Sequence, residues 1–107
     1  MSLLMDFKTI QKHISRKDYL FSEHADEERT KDNITAQDVE EVLLSGSVIE
    51  ERLDDPRGES RLVAGKTVLG KTIHVVIGIR FSKPVIVTVY IPEVMKWNRG
   101  IMRKRKA

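Results

Sequence analysis

Apolar residues recur every three or four positions over the first 46 residues, and after that they alternate or run in β-branched blocks. Asp6 is a helix-capping residue, and behind it Phe7, Ile10 and Ile14 form one stripe at helical spacing. Ser22 caps a short second helix in the same way, and the carboxylates of Glu23, Asp26 and Glu27 suit the positive end of its dipole. Thr35-Ala36-Gln37-Asp38 has capping-box spacing; it opens a third helix with Val39, Val42 and Leu43 turned inward and Gly46 placed to end it.

From Val48 onward the pattern predicts strands over 48–53, 61–68, 72–80 and 85–91. The turns between them are Asp54-Asp55-Pro56-Arg57-Gly58, Leu69-Gly70-Lys71 and Phe81-Ser82-Lys83-Pro84. Connections this short close hairpins and leave no room for crossover helices, so the sheet is expected to be an antiparallel meander. The expected fold class is α+β, with N-terminal helices packed on one face of a four-stranded antiparallel sheet and residues 1–107 forming one domain.

Strand parity then sorts the side chains. Ile73, Val75, Ile77 and Ile79 share one face of the third strand, and Val85, Val87, Val89 and Ile91 share one face of the fourth. Burying both aliphatic rows under the helices sends His74, Val76, Gly78 and Arg80 to the opposite face, beside Ile86, Thr88 and Tyr90.

Composition narrows the chemistry. The chain has no cysteine, which excludes disulfides and thiolate nucleophiles, and its three histidines, His13, His24 and His74, stand at no metal-ligand spacing. No metal or cofactor is expected, and the carboxylates fall in helix-surface runs that do not suit a metal-dependent hydrolase. No apolar run approaches the roughly 20 residues of a membrane span. The Met1-Ser2-Leu3-Leu4-Met5 start lacks the basic region and cleavage site of a signal peptide, so a cytoplasmic protein is expected. The net charge of +3 is unevenly spread: residues 1–95 hold 13 basic and 16 acidic groups, whereas 96–107 hold six basic groups and no acid. Such an end attracts phosphate backbones, acidic partners or anionic lipid, or serves only as a solvated terminus.

Several side chains carry candidate chemistry, each with a plainer alternative. His24, in the first turn of its helix, is a general acid or base, a phosphate ligand, or a surface histidine. Arg80 is placed to clamp a phosphate or to pair with Glu93, and Tyr90 to donate a proton or to cover the sheet with its ring. His74 reads as a half-buried sheet residue. Trp97, between Lys96 and Arg99, stacks on a base or anchors the C-terminal segment.

The series Ser22-x-His24-Ala25, Glu28-Arg29, Ile34-Thr35-x-x-Asp38-Val39, Leu62-Val63-x-Gly65, His74-Val75-Val76 and Thr88-x-Tyr90-x-Pro92 with Trp97 resembles a family. It is similar to the small bacterial and archaeal domains of unknown function grouped with RelE-like toxins, within the barnase, EndoU, colicin and RelE fold. The resemblance spans roughly residues 20–98 and leaves 99–107 as a basic tail. It implies the toxin of a toxin–antitoxin pair that cuts RNA without a metal, restrained by an antitoxin of zinc-finger or helix-turn-helix type. In that reading His24 and Tyr90 are the acid and base, Arg29 and Arg80 hold the scissile phosphate, and Thr88 orients one of its oxygens. His74, Lys96, Trp97, Arg99, Arg103, Lys104 and Arg105 would contact the RNA, and the product would end in a 2′,3′-cyclic phosphate. His24 and Arg29 lie five apart and so fall on different helical stripes. The alternative expectation is a non-catalytic module that binds a protein partner or nucleic acid, with the tail supplying a salt-dependent share of the affinity.

Overall fold

The computed structural model describes residues 5–92. The tail positions Lys96, Trp97, Arg99, Arg103, Lys104 and Arg105, together with Glu93, lie outside the described residues. In chain order the elements are α1 (Phe7–Ser15), β1 (Leu20–Phe21), α2 (Glu23–Lys31), α3 (Ala36–Ser45), β2 (Ser47–Arg52), β3 (Ser60–Lys66), β4 (Thr72–Arg80) and β5 (Lys83–Tyr90).

The three helices start where their caps place them. Asp6 accepts from the Thr9 N–H at 2.8 Å, and Ser22 Oγ accepts from the Ala25 N–H at 3.0 Å. Thr35 and Asp38 complete a reciprocal capping box with two bonds of 2.9 Å. Each cap satisfies an otherwise orphaned amide and contributes about 1 kcal/mol.

The class is α+β, but the sheet is five-stranded and mixed rather than four-stranded and antiparallel. Its order is β1-β5-β4-β3-β2, and the added strand, β1, runs parallel to β5 through Leu20↔Val85 and Phe21↔Ile86. Two residues are too few to show an alternation, which is why the hydrophobic pattern does not announce this strand. It forms because the chain passes along the outer edge of β5 on its way into α2. The Ser22 N–H donates to the Ile86 carbonyl at 2.9 Å and Ser22 Oγ to the Val87 carbonyl at 3.2 Å.

The core lies between the helices and one sheet face. Ile10, Ile14, Ala25, Ile34, Val39, Val42 and Leu43 pack against Val63, Ile73, Val75, Ile77, Ile86 and Val89. One expectation of strand parity is corrected here. Ile77 pairs with Ile86 while Val76 pairs with Thr88, so β5 carries one extra residue, Val87, as a β-bulge. The bulge reverses the facing of the first half of the strand. Ile86 therefore enters the core, and Val85 and Val87 are only partly buried on the open side; Ile91, past the end of β5, is exposed.

Candidate functional site

The face of the sheet away from the helices holds a cleft of about 340 Å³. Arg80 and Val76 of β4, Val87 and Tyr90 of β5, Ser60 and Leu62 of β3, and Glu50 and Arg52 of β2 line it. The β2–β3 loop adds Asp55 and Arg57, and Arg61 completes the wall. Three arginines of this face, Arg52, Arg57 and Arg80, against Glu50 and Asp55 make the cleft positive, whereas the Arg61 side chain shares the helix-side face with Ile77; the polar groups converge from separate elements, as in a binding site.

Most of that charge is already engaged. Asp55 receives the Arg57 backbone N–H at 2.8 Å and its guanidinium at 3.3 Å, and these hydrogen bonds hold the Asp55 carboxyl below the usual carboxylate range. Arg52 lies 3.6 Å from Glu50. Arg61 is buried between Glu59 at 2.8 Å and Glu51 at 3.0 Å, and Glu59 also accepts from the Met5 N–H. Arg80 differs: among the described residues it joins no ion pair, and Nη1 donates only to the Ile79 carbonyl, at 3.1 Å.

Two glycines make room for that guanidinium. A Cβ on Gly78 would stand 2.9 Å from Arg80 Nη1, and one on Gly58 would stand 3.0 Å from the same atom. Gly58 also has φ +113°, a backbone conformation that side-chain-bearing residues rarely adopt. The turn sequence Asp55-Pro56-Arg57-Gly58 thus does more than reverse the chain. It lays Arg57 and a bare backbone beside Arg80.

Next to the arginines stands a hydrogen-bonded pair. His74 Nδ1 and the Tyr90 phenol oxygen are 3.1 Å apart, with their rings edge to face at a centroid distance of 5.1 Å. Burial pushes the Tyr90 phenol above its ordinary pKa, with the Glu50 carboxylate adding to the shift. Burial pushes the His74 imidazole below its ordinary value. At neutral pH the phenol keeps its proton and the imidazole is uncharged.

The residues expected from sequence therefore divide into two groups. Arg80, Thr88, Tyr90 and His74 share the open face, since Thr88 pairs with Val76 and Tyr90 with His74. His24 and Arg29 do not line the cleft. His24 is exposed on α2, with Nε2 3.1 Å from Glu28, whose other oxygen accepts the Val89 N–H at 3.0 Å. Arg29 clasps α2 to the turn before α3: it pairs with Asp26 at 2.8 Å, donates to the Ile34 carbonyl at 3.2 Å and lies over the Phe21 ring. Sequence reasoning passed over Arg52, Arg57, Ser60 and the paired glycines. Their available signal is register, because hairpin pairing sets Ser60 opposite both Arg52 and Gly78.

Among the described residues, no group of three or more His, Asp or Glu side chains could hold a metal ion. No described helix is long and apolar enough to cross a membrane. Residues 21–91 match a family described as a domain of unknown function, DUF4258. No curated protein and no solved structure matches the chain.

Proposed function

Since this chain belongs to the DUF4258 family, whose function is unknown, its activity has to be read from the cleft, and we propose that it is a metal-independent endoribonuclease. The observation that carries this reading is Arg80, a cationic side chain seated in a glycine cradle with no ion pair among the described residues, in the same cleft as the Tyr90 phenol. A guanidinium so placed has its donors available for a phosphate oxygen, and Arg57 adds charge at the rim.

Tyr90 and His74 supply the proton transfer. With the proton on Nδ1, His74 donates to the phenol oxygen and leaves the Tyr90 O–H directed to the cleft. As the ribose 2′-oxygen attacks phosphorus it loses its proton to solvent. The new 2′-oxygen–phosphorus bond forms, the bond from phosphorus to the 5′-oxygen breaks, and Tyr90 gives its proton to that oxygen. The resulting phenolate is held by the His74 N–H until water reprotonates it. The products are a 2′,3′-cyclic phosphate and a 5′-hydroxyl, and Arg80 balances the charge that gathers on the phosphoryl oxygens. The RelE-like resemblance adds the biological setting: a cytoplasmic toxin neutralised by a zinc-finger or helix-turn-helix antitoxin.

The experiment incubates end-labelled RNA with the purified chain in the presence of a chelator. Wild type is expected to give cyclic-phosphate ends, Arg80→Ala and Tyr90→Phe to lose cleavage, and His24→Ala to retain it. A second reading, a nucleic-acid-binding module without catalysis, is favoured by the position of His24 and Arg29 outside the cleft, which separates two of the catalytic groups that the resemblance implies from Arg80. RNA that is bound by wild type with steep salt dependence yet stays intact would decide for that reading.

A further inference from the structure

The turn that follows Arg80 contradicts its own local chemistry. Arg80 pairs with Lys83, so Phe81 and Ser82 alone close the β4–β5 hairpin, with φ +53° and +63°. Two central residues with positive φ define a type I′ turn, which favours Asn-Gly because those residues reach the left-handed region at low cost. A bulky aromatic residue there is a conformational outlier. The Phe81 side chain is fully exposed, and among the described residues its ring stacks on no other ring and lies under no cation.

Strain held at a position without packing benefit directs attention to function. Phe81 is the chain neighbour of Arg80, and Gly58, next to Arg57, lies against the Arg80 guanidinium. An exposed aromatic ring one residue along the chain from an arginine that joins no ion pair among the described residues is a pairing that single-stranded nucleic acid recognition uses, with cations on the backbone and a ring under a base. We propose that Phe81 is the stacking platform for an unpaired base of the RNA whose phosphate Arg80 holds. This rests on the cleft as the RNA site and adds a substrate class: single-stranded or looped RNA, in preference to continuous duplex. In a duplex the bases are stacked on each other and cannot be offered to the ring.

Charge complementarity favours a nucleotide over an apolar protein surface, since Arg80 precedes the ring and joins no ion pair among the described residues, whereas Lys83 across the turn is paired with Asp18 at 2.9 Å. The test replaces Phe81 with Asn, which suits the turn, and with Trp, which keeps a π-face. Binding of a short unstructured RNA and of inorganic polyphosphate, which has no bases, is measured for each protein. Phe81→Asn is expected to raise the melting temperature and to weaken RNA binding about tenfold, a typical loss for one stacked base, while polyphosphate binding is unchanged. Phe81→Trp is expected to retain RNA affinity. The proposal is overturned if Phe81→Asn binds RNA as wild type does, or loses RNA and polyphosphate alike. It is also overturned if the variant keeps RNA affinity but self-associates less in sedimentation, which would assign the ring to a second copy of the chain. If wild type binds RNA, Arg80→Ala abolishes binding and Phe81→Asn does not alter it, only the stacking platform fails. If wild type binds no RNA, the cleft reading fails with it.

Discussion

Gly78→Ala is the sharpest probe of the Arg80 cradle because it separates the position of the guanidinium from the stability of the sheet. The added methyl group would stand 2.9 Å from Arg80 Nη1, 3.5 Å from its Cζ and 3.4 Å from Val87 Cγ2. Carbon and nitrogen settle at separations of about 3.5 Å or more, so the guanidinium must retreat by roughly half an ångström. That retreat is cheap in folding terms, since the tight contact is to the far end of a flexible side chain. Gly78 also sits in regular strand, where alanine gains about 0.5–1 kcal/mol over glycine through the unfolded chain. Stability is therefore expected to hold or rise slightly.

Binding is expected to move the other way. A hydrogen bond from guanidinium to phosphate forms at about 2.7–2.9 Å and contributes about 1.5–3 kcal/mol, and a half-ångström displacement spoils one such bond. The dissociation constant for a short RNA, read by fluorescence anisotropy, should rise about tenfold to a hundredfold while the melting curve is unchanged or shifts upward. Gly58→Ala is the control. At φ +113°, with a Cβ 2.7 Å from the Ile79 carbonyl oxygen, it should lose binding and also about 1–3 kcal/mol of stability. Unchanged RNA affinity in Gly78→Ala, together with a binding loss in Arg80→Ala, would refute the claim that the glycines set the position of the guanidinium.

Two further outcomes follow from buried groups. Burial lowers the His74 pKa below its ordinary 6.5, so the unfolded chain takes up the proton first as pH falls. Stability should be level above about pH 6.5 and decline as pH drops from there toward the folded-state value; His74→Gln should flatten that window in denaturant titrations at stepped pH. Arg61→Ala leaves Glu59 buried without its guanidinium partner and should cost about 3–5 kcal/mol by urea denaturation, whereas replacing both residues with apolar ones should recover much of the loss.

The helices and the four longer strands were legible because each has a local cause. Asp6, Ser22 and Thr35 cap, Ile10 and Ile14 recur at helical spacing, and Ile73, Val75 and Ile77 alternate. Two features with only non-local causes were not. Leu20 and Phe21 become a strand because β5 offers an unpaired edge some 65 residues downstream, as the Ser22–Val87 hydrogen bond marks. The clustering of Arg52, Arg57 and Arg80 depends on hairpin register, which no single segment encodes. His24 shows the same limit from the other side: its motif places it on α2, exposed and outside the cleft, whereas the groups that converge in the cleft lie on the sheet and its β2–β3 loop.

The bulge at Val87 ties the core to the cleft. Continuous alternation along β5 would bury Val85, Val87, Val89 and Ile91 together and turn Ile86 outward. One extra residue instead gives Ile86 to the core and leaves Val87 as a wall of the cleft, in reach of Gly78. Beyond the bulge the original parity returns, so Thr88 and Tyr90 still face the open side and Tyr90 meets His74. Bulges are enriched beside functional sites because they re-aim side chains without breaking the sheet. Here the displaced row is the one between Arg80 and Tyr90, the two groups to which the proposed RNA cleavage assigns phosphate binding and proton transfer. Deleting Val87 would restore regular pairing with Ile86 still opposite Ile77 and Thr88 still opposite Val76, so the core should persist while the cleft loses its Val87 wall beside Gly78.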